Sequence, residues 1–358
     1  MGCNWSMCSK PSAPSEEKDS RSSSTDISQV PVVQPVAIDR PLHFRDKYIL
    51  GGALGEGSYA SVKKARNKET GTMYAVKVFK KANLSPDDEK DIHSEVEILS
   101  RLKHPNVLNL IDFYSELKHY YIVTDLCEGG ELFDRIAHLT YYTEKEARDL
   151  VKTLLTAIKY CHDLGIVHRD LKPENILMTD KENNSSIKIA DFGFAKEVTN
   201  GLTTTCGSPE YIAPEIIARS NSEEKYGTHA DIWSIGVITY VLLAGYTPFH
   251  DDNQSVLFDN IANGLYYFYS PDWDEVSQEA KDFVSWALTL DPKQRPSADD
   301  LLKDTWITQE NVSVYQLSGV MEKLPMLNKR KFKAAVQATI LINKLRNKSQ
   351  GEDESISV

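Results

Sequence analysis

Residues 48–54, 61–66 and 73–79, rich in apolar, β-branched and aromatic positions and bounded by turn residues, read as β-strands. The turn Asn67-Lys68-Glu69-Thr70-Gly71 joins the last two. From Pro86 a helical period takes over, with Ile92, Val96, Leu99 and Leu102 on one face. Two more strands are expected, the second over 120–125. Past Gly129-Gly130 helical patterns dominate. Thr143, with Glu146 three residues on, forms a capping box that opens a helix running to about His162. Residues 187–190 read as a short strand before a long irregular stretch, and helices then continue to Trp306. The apolar run 232–244 is broken by Ser234, Gly236 and Thr239 and is too short to span a bilayer, so it reads as a buried helix. No repeat of 20–50 residues is present. Strands first and helices later predict an α+β protein: a small antiparallel sheet lobe with one helix, and a larger helical lobe.

Composition narrows the class without changing that picture. Of 358 residues, 41% are hydrophobic and 26% charged, the usage of a soluble globular chain. A formal net charge of −11 argues against a nucleic-acid partner. The five cysteines (Cys3, Cys8, Cys127, Cys161, Cys206) are scattered, odd in number and without a C-x-x-C pair, so a disulfide framework or zinc site is not expected. A reducing cytosol fits them. Residues 1–44 are rich in Ser, Pro and Val with no period, which predicts a disordered tail. No apolar signal-peptide core follows Met1.

Candidate chemistry sits in four places. Gly55-Glu56-Gly57-Ser58-Tyr59-Ala60-Ser61-Val62 lies between two expected strands. Such glycines can bring backbone N–H groups onto phosphates, though a plain hairpin turn is the better reading of this stretch alone. A strand follows it, which disfavours a dinucleotide-binding loop, and no G-x-x-x-x-G-K-[ST] occurs. Lys77 stands in the apolar strand Ala75-Val76-Lys77-Val78, where a lysine ordinarily keeps its tip in water. Its spacing from the glycine loop also lets it fold back beneath bound phosphates. Glu95, on the next helix, is either its ion-pair partner or a solvent-facing carboxylate. His168-Arg169-Asp170-Leu171-Lys172-Pro173-Glu174-Asn175 is more specific, packing a potential base, a cation and a metal-binding amide into a loop too polar for a core. Asp191-Phe192-Gly193 offers a carboxylate for Mg²⁺, and Ala213-Pro214-Glu215 closes the segment.

From about residue 45 to 307 the chain resembles the eukaryotic protein kinases, carrying their glycine loop, V-K strand, H-R-D-L-x-x-x-N, D-F-G and A-P-E in order and at normal spacing. It is most similar to the calcium/calmodulin-dependent group, through Glu128-Gly129-Gly130-Glu131-Leu132-Phe133-Asp134 and Cys206-Gly207-Ser208-Pro209-Glu210-Tyr211. The resemblance implies a two-lobed serine/threonine kinase using ATP and Mg²⁺, with lobes at about 45–126 and 127–307. By the same resemblance Lys77 holds the α/β-phosphates and pairs with Glu95, and Asp170 accepts the substrate hydroxyl proton. Lys172 neutralises the transferring phosphoryl, while Asn175 and Asp191 hold Mg²⁺. Leu54, Gly55, Glu56, Gly57, Ser58, Val62 and Ala75 then surround ATP together with Glu131, Asp125 and Cys127 form the adenine-binding hinge, and Thr124 is the gatekeeper. Asp231 and the Glu215–Arg295 pair are expected to be structural. Ala60 replaces the pattern's third glycine, which stiffens the loop and bears at most on nucleotide affinity. Glu131 and Glu174 fall where basophilic relatives bind an arginine three residues before the target, with Ser208 also on the peptide side. Scattered surface acids is the plainer reading of those two.

Regulation and address are carried by the ends and by one loop. In the kinases this chain resembles, the arginine matching Arg169 answers to a phosphate on the segment between D-F-G and A-P-E, where Thr204 fits best, which implies an upstream kinase. The three threonines Thr203, Thr204 and Thr205 in an unmodified turn are the other reading. Between 328 and 349 lie seven basic residues and no acidic one. Phe332, Val336 and Leu341 have the 1-5-10 spacing of calmodulin anchors, in an amphipathic helix expected at about 328–348 of a regulatory segment 308–358. A docking helix and a membrane-surface helix fit the same pattern. Gly2 with Ser6 matches an N-myristoylation signal, and Cys3 offers the palmitoyl site that a single chain needs as a second anchor; an unmodified tail is the other reading. The combined expectation is a cytoplasmic kinase tethered to the cytoplasmic face of a membrane. It would act on proteins with basic residues upstream of Ser/Thr and answer to calmodulin. A kinase governed only by activation-segment phosphorylation and a catalytically silent kinase-fold scaffold are the alternatives.

Overall fold

The structure is a computed structural model, and it describes residues 43–56, 60–139, 141–181, 186–197, 209–218, 227–317 and 319–327. All of them fall in one compact unit, Gln34–Val358. The stretches read as strands form β1 (Tyr48–Glu56), β2 (Ala60–Asn67), β3 (Met73–Lys80), β4 (Leu110–Ser115) and β5 (His119–Thr124). They pair antiparallel in the order β1-β2-β3-β5-β4. The β2–β3 turn closes on Asn67, whose Oδ1 accepts the Glu69 and Thr70 N–H groups. Gly71 takes a φ of +71°, a left-handed conformation that glycine adopts without strain.

One helix packs on the sheet, α2 (Pro86–Arg101), opened by a capping box between Ser85 and Asp88. Ile92, Val96 and Leu99 are buried as the period predicts, and Glu95 is buried on the same side. The short α1 (Phe44–Lys47) precedes the sheet. The sequence places Phe44 in the tail, yet its side chain is fully buried, stacked on Tyr121 at 4.4 Å and on Tyr48 at 5.3 Å. A lone aromatic in a polar stretch has no period to reveal it.

The larger lobe is built of α3 (Leu132–Ala137), α4 (Glu144–Asp163), α5 (Pro214–Ala218), α6 (His229–Ala244), α7 (Gln254–Ala262), α8 (Gln278–Ala287), α9 (Ala298–Leu302) and α10 (Thr305–Thr308). The capping box of Thr143 and Glu146 opens α4 as expected. α6 is buried on every side from Ala230 to Ala244, which is why its sequence is an apolar run rather than an amphipathic stripe. Among the described residues no helix is long and apolar enough to cross a membrane.

Five short strands escape the sequence reading almost entirely: β6 (Gly130–Glu131), β7 (Ile166–Val167), β8 (Ile176–Met178), β9 (Ile187–Ile189) and β10 (Lys196–Glu197). Two or three residues cannot display an alternation, and only β9 was anticipated. They pair as β6-β8-β9 and β7-β10, holding the polar loops between them in place. Beyond residue 307 the chain stays on the lobe: Val312, Leu317, Val320 and Leu324 are buried. Lys323 pairs with Asp272 and lies over the Tyr246 ring at 5.1 Å. The regulatory segment expected from 308 thus starts with residues that belong to the core. Gly2, Cys3, Phe332, Val336 and Leu341 lie outside the described residues.

Candidate active site

A cleft of ≈ 590 Å³ brings together residues from both lobes, a size that suits a nucleotide-like ligand. Leu54, Gly55, Val62 and Ala75 line it from the sheet; Thr124, Asp125 and Cys127 line it from the stretch joining the lobes. Glu131, Glu174, Asn175 and Asp191 line it from the helical lobe. Leu99, Leu108, Ile122 and Leu177 add apolar surface that sequence reasoning missed, because on a strand or helix such residues look like ordinary core. Glu56 ends β1, and Gly57 and Ser58 lie outside the described residues. Burial pushes the Cys127 thiol up to about 11, so it stays protonated at neutral pH.

At one end of the cleft Lys77 reaches from β3 to α2. Its Nζ donates to Glu95 Oε1 at 3.1 Å and Oε2 at 3.2 Å, and to Asp191 Oδ1 at 3.3 Å. Burial alone would lower the Lys77 pKa, but the two facing carboxylates outweigh it and hold the ammonium above its ordinary value. Burial raises Glu95 despite the lysine beside it. Asp191 feels the opposite balance: burial would raise it, yet Lys77 holds it below the ordinary carboxylate value. The solvent-facing reading of Glu95 is therefore wrong, since it is buried and paired.

The loop after β7 is held from below by α6. Asp231 accepts the His168 N–H at 2.9 Å and the Arg169 N–H at 2.8 Å, and His162 Nε2 lies 2.8 Å from it. These contacts hold Arg169 at a φ of +74°, unusual for a residue with a side chain. Asp191 also sits in the left-handed region, at φ +59°. Between them Asp170 is buried. Lys172 Nζ lies 2.7 Å from its Oδ2, and Asn175 Nδ2 donates to its carbonyl at 2.8 Å and its Oδ2 at 3.1 Å. Asp170 Oδ1 is buried without a hydrogen-bond partner. A buried carboxyl oxygen without a partner, beside a lysine, is an acceptor placed to receive a donor.

A protein kinase domain model matches residues 48–307. The chain is a protein kinase. It is 41% identical over 84% of its length to a calcium/calmodulin-dependent protein kinase type 1 of Macrobrachium nipponense, covering 87% of that protein. It is 40% identical over 84% of its length to the type 1 enzyme of Caenorhabditis elegans, of which it covers 86%. To the type IV enzyme of Mus musculus it is 41% identical over 85% of its length, covering 64% of that protein. It is a serine/threonine kinase of the calcium/calmodulin-dependent type, with ATP as phosphoryl donor and Mg²⁺ as cofactor.

The kinase's residues fit that metal. Asn175 spends its Nδ2 on Asp170, which leaves the amide oxygen for a cation, and Asp191 is a carboxylate kept ionised by Lys77. Two hard oxygen donors suit Mg²⁺. Among the described residues no three of His, Cys, Asp and Glu converge to hold a metal, so phosphate oxygens of the nucleotide would complete the shell. Away from the cleft, Arg295 donates to Glu215 through both Nη atoms at 2.7 and 2.9 Å in a buried pair, in keeping with a structural role. Ala60 opens β2 and pairs with Phe79. Thr204 and Ser208 lie outside the described residues.

Proposed function

We propose that this kinase transfers the γ-phosphoryl group of ATP to Ser/Thr in segments with an arginine three residues upstream, under Ca²⁺/calmodulin control. The observation that carries the chemical assignment is the convergence on one cleft of the Lys77–Glu95–Asp191 network and Asn175, whose Nδ2 binds Asp170 beside Lys172. Lys77 binds the α/β-phosphate oxygens, and Asn175 and Asp191 hold Mg²⁺, which supplies charge neutralisation at the phosphates. Asp170 Oδ1 accepts the hydroxyl proton as the substrate oxygen attacks the γ-phosphorus in line. The bond from that phosphorus to the β–γ bridging oxygen breaks, and ADP leaves. Lys172 offsets charge on the group in flight. Asp125 and Cys127 present the hinge backbone to adenine, while Thr124 occupies the gatekeeper position.

Arginine preference is supported by Glu131 and Glu174, which both line the cleft on the helical-lobe side. Two carboxylates there suit one guanidinium. Calmodulin control is supported by the names of the relatives and by the basic, 1-5-10-spaced stretch from 328 to 349. Phosphorylation of Thr204 by an upstream kinase and acylation at Gly2 and Cys3 complete the proposal, and would place the enzyme on the cytoplasmic face of a membrane.

The test is phosphorylation of an Arg-x-x-Ser peptide by the full-length protein with and without Ca²⁺/calmodulin. At least a tenfold stimulation is expected, with loss of turnover when Ala replaces the peptide arginine. Activity indifferent to calmodulin would move control to Thr204. Silence in both conditions, even after Thr204 is phosphorylated, would leave a scaffold.

A further inference from the structure

Lys188 is a charged residue that none of the chemistry above uses. It stands in β9, three residues before Asp191, and its side chain is only 13% exposed. A lysine buried that far needs partners for its ammonium. Nζ lies 2.9 Å from Asp125 Oδ2 and donates to the Val107 carbonyl at 3.1 Å. The same Asp125 oxygen accepts the Asn109 N–H at 3.2 Å and Asn109 Nδ2 at 2.7 Å. In return the Asp125 N–H donates to the Asn109 carbonyl at 3.3 Å. One carboxylate oxygen thus gathers three donors from two distant segments.

The stretch 106–109 is laced to β9 as well. Leu108 N donates to the Ile189 carbonyl at 2.9 Å, Ile189 N to the Asn106 carbonyl at 2.8 Å, and Asn106 Nδ2 to the Ile187 carbonyl at 2.9 Å. Three pieces of chain therefore meet at a single ion pair: the hinge, the 106–109 stretch and the strand that delivers Asp191. Two of these carry opposite ends of the nucleotide site, the hinge facing adenine and Asp191 facing the phosphates. We infer that Lys188, Asp125 and Asn109 form a positioning clamp that fixes the hinge relative to Asp191 and so sets the span over which ATP is held. The inference rests on the assignment of the hinge and Asp191 to nucleotide binding.

Lys188 and Asp125 touch no reacting atom through these side chains; they act through the backbones they hold. Charge-assisted hydrogen bonds between partly buried groups are strong enough to matter to a site that tolerates little slippage. The nucleotide term of the kinetics should therefore move apart from the chemical one.

The experiment is steady-state kinetics of the full-length protein on the Arg-x-x-Ser peptide, with thermal unfolding measured in parallel. Lys188→Met should raise KM for ATP roughly 3- to 10-fold, with kcat and the peptide KM within about twofold of wild type. Lys188→Arg should restore the ATP KM to within about twofold. Asp125→Asn should raise the ATP KM, and the double variant should be no worse than the worse single one, because both remove the same contact. A lowered Tm with unchanged ATP KM would reduce the clamp to a structural contact and overturn the inference. So would additive effects in the double variant. Asp191→Asn is the control for the underlying assignment: if it still turns over, the site reading fails rather than the clamp. Should Lys188→Met not fold, Asp125→Asn, which keeps the shape and an acceptor for Asn109, decides the matter alone.

Discussion

A methyl group on Gly129 would collide with the Asp180 carbonyl oxygen and Met178 Cβ, the end of β8 that the Gly129 N–H already bonds at 3.0 Å. That backbone cannot retreat without breaking the β6–β8 pairing that places Glu131 opposite Leu177. Gly129→Ala is therefore expected to destabilise the protein by about 1–3 kcal/mol, read as a lower urea midpoint at unchanged slope, and to raise KM for the arginine peptide. At this scale the sequence was informative where a residue type is chemically committed. Asp170, Lys172, Asn175 and Asp191 stand out because polar groups that dense serve no core. It was silent where meaning comes from a distant neighbour. Lys188 and Asp125 are 63 positions apart and each looks like an ordinary charged residue, while Glu95 needed the fold to show that it is buried against Lys77.

Among the elements, α6 does most to shape the site, since its first turn carries the carboxylate beneath the catalytic loop. Burial alone would raise the Asp231 pKa; the His162 contact, with help from the Arg169 N–H, overcomes that and keeps it below its ordinary 3.8. The native state thus holds this charge to lower pH than the unfolded chain does. The resulting stabilisation is fully present above about pH 3.8 and is lost as pH falls through the native value. Asp231→Asn is expected to lose about 3 kcal/mol at pH 7, since one amide oxygen cannot serve both N–H groups. The variant's stability should also fall less steeply in acid than wild type, as followed by urea unfolding between pH 3 and 7. The longer elements were legible from the chain: α2 and α4 by their period or caps, α6 by its apolar run, and β1 to β3 by their apolar composition between turn residues. β6, β7 and β10 were not, because a two-residue strand is made by its partner rather than by its own pattern.

For the whole molecule, the boundary of the folded body is the consequential point. Val312, Leu317, Val320 and Leu324 are core residues although they lie past the matched kinase domain. Ending the chain after Leu327 should preserve the fold and give activity indifferent to calmodulin. Ending it after Ile307 should cost several kcal/mol at about 1.5–3 kcal/mol per buried apolar side chain, visible as a Tm lower by many degrees. The left-handed backbones of Arg169 and Asp191 have a different consequence. Each stores strain of about 1–3 kcal/mol that the surrounding lobe supports. Heat tolerance and turnover are thus rivals at Asp191, the one of the two that the proposed chemistry uses. An evolving population rewarded only for surviving high temperature would drift toward glycine there, and would end with a sturdier protein that has stopped being an enzyme.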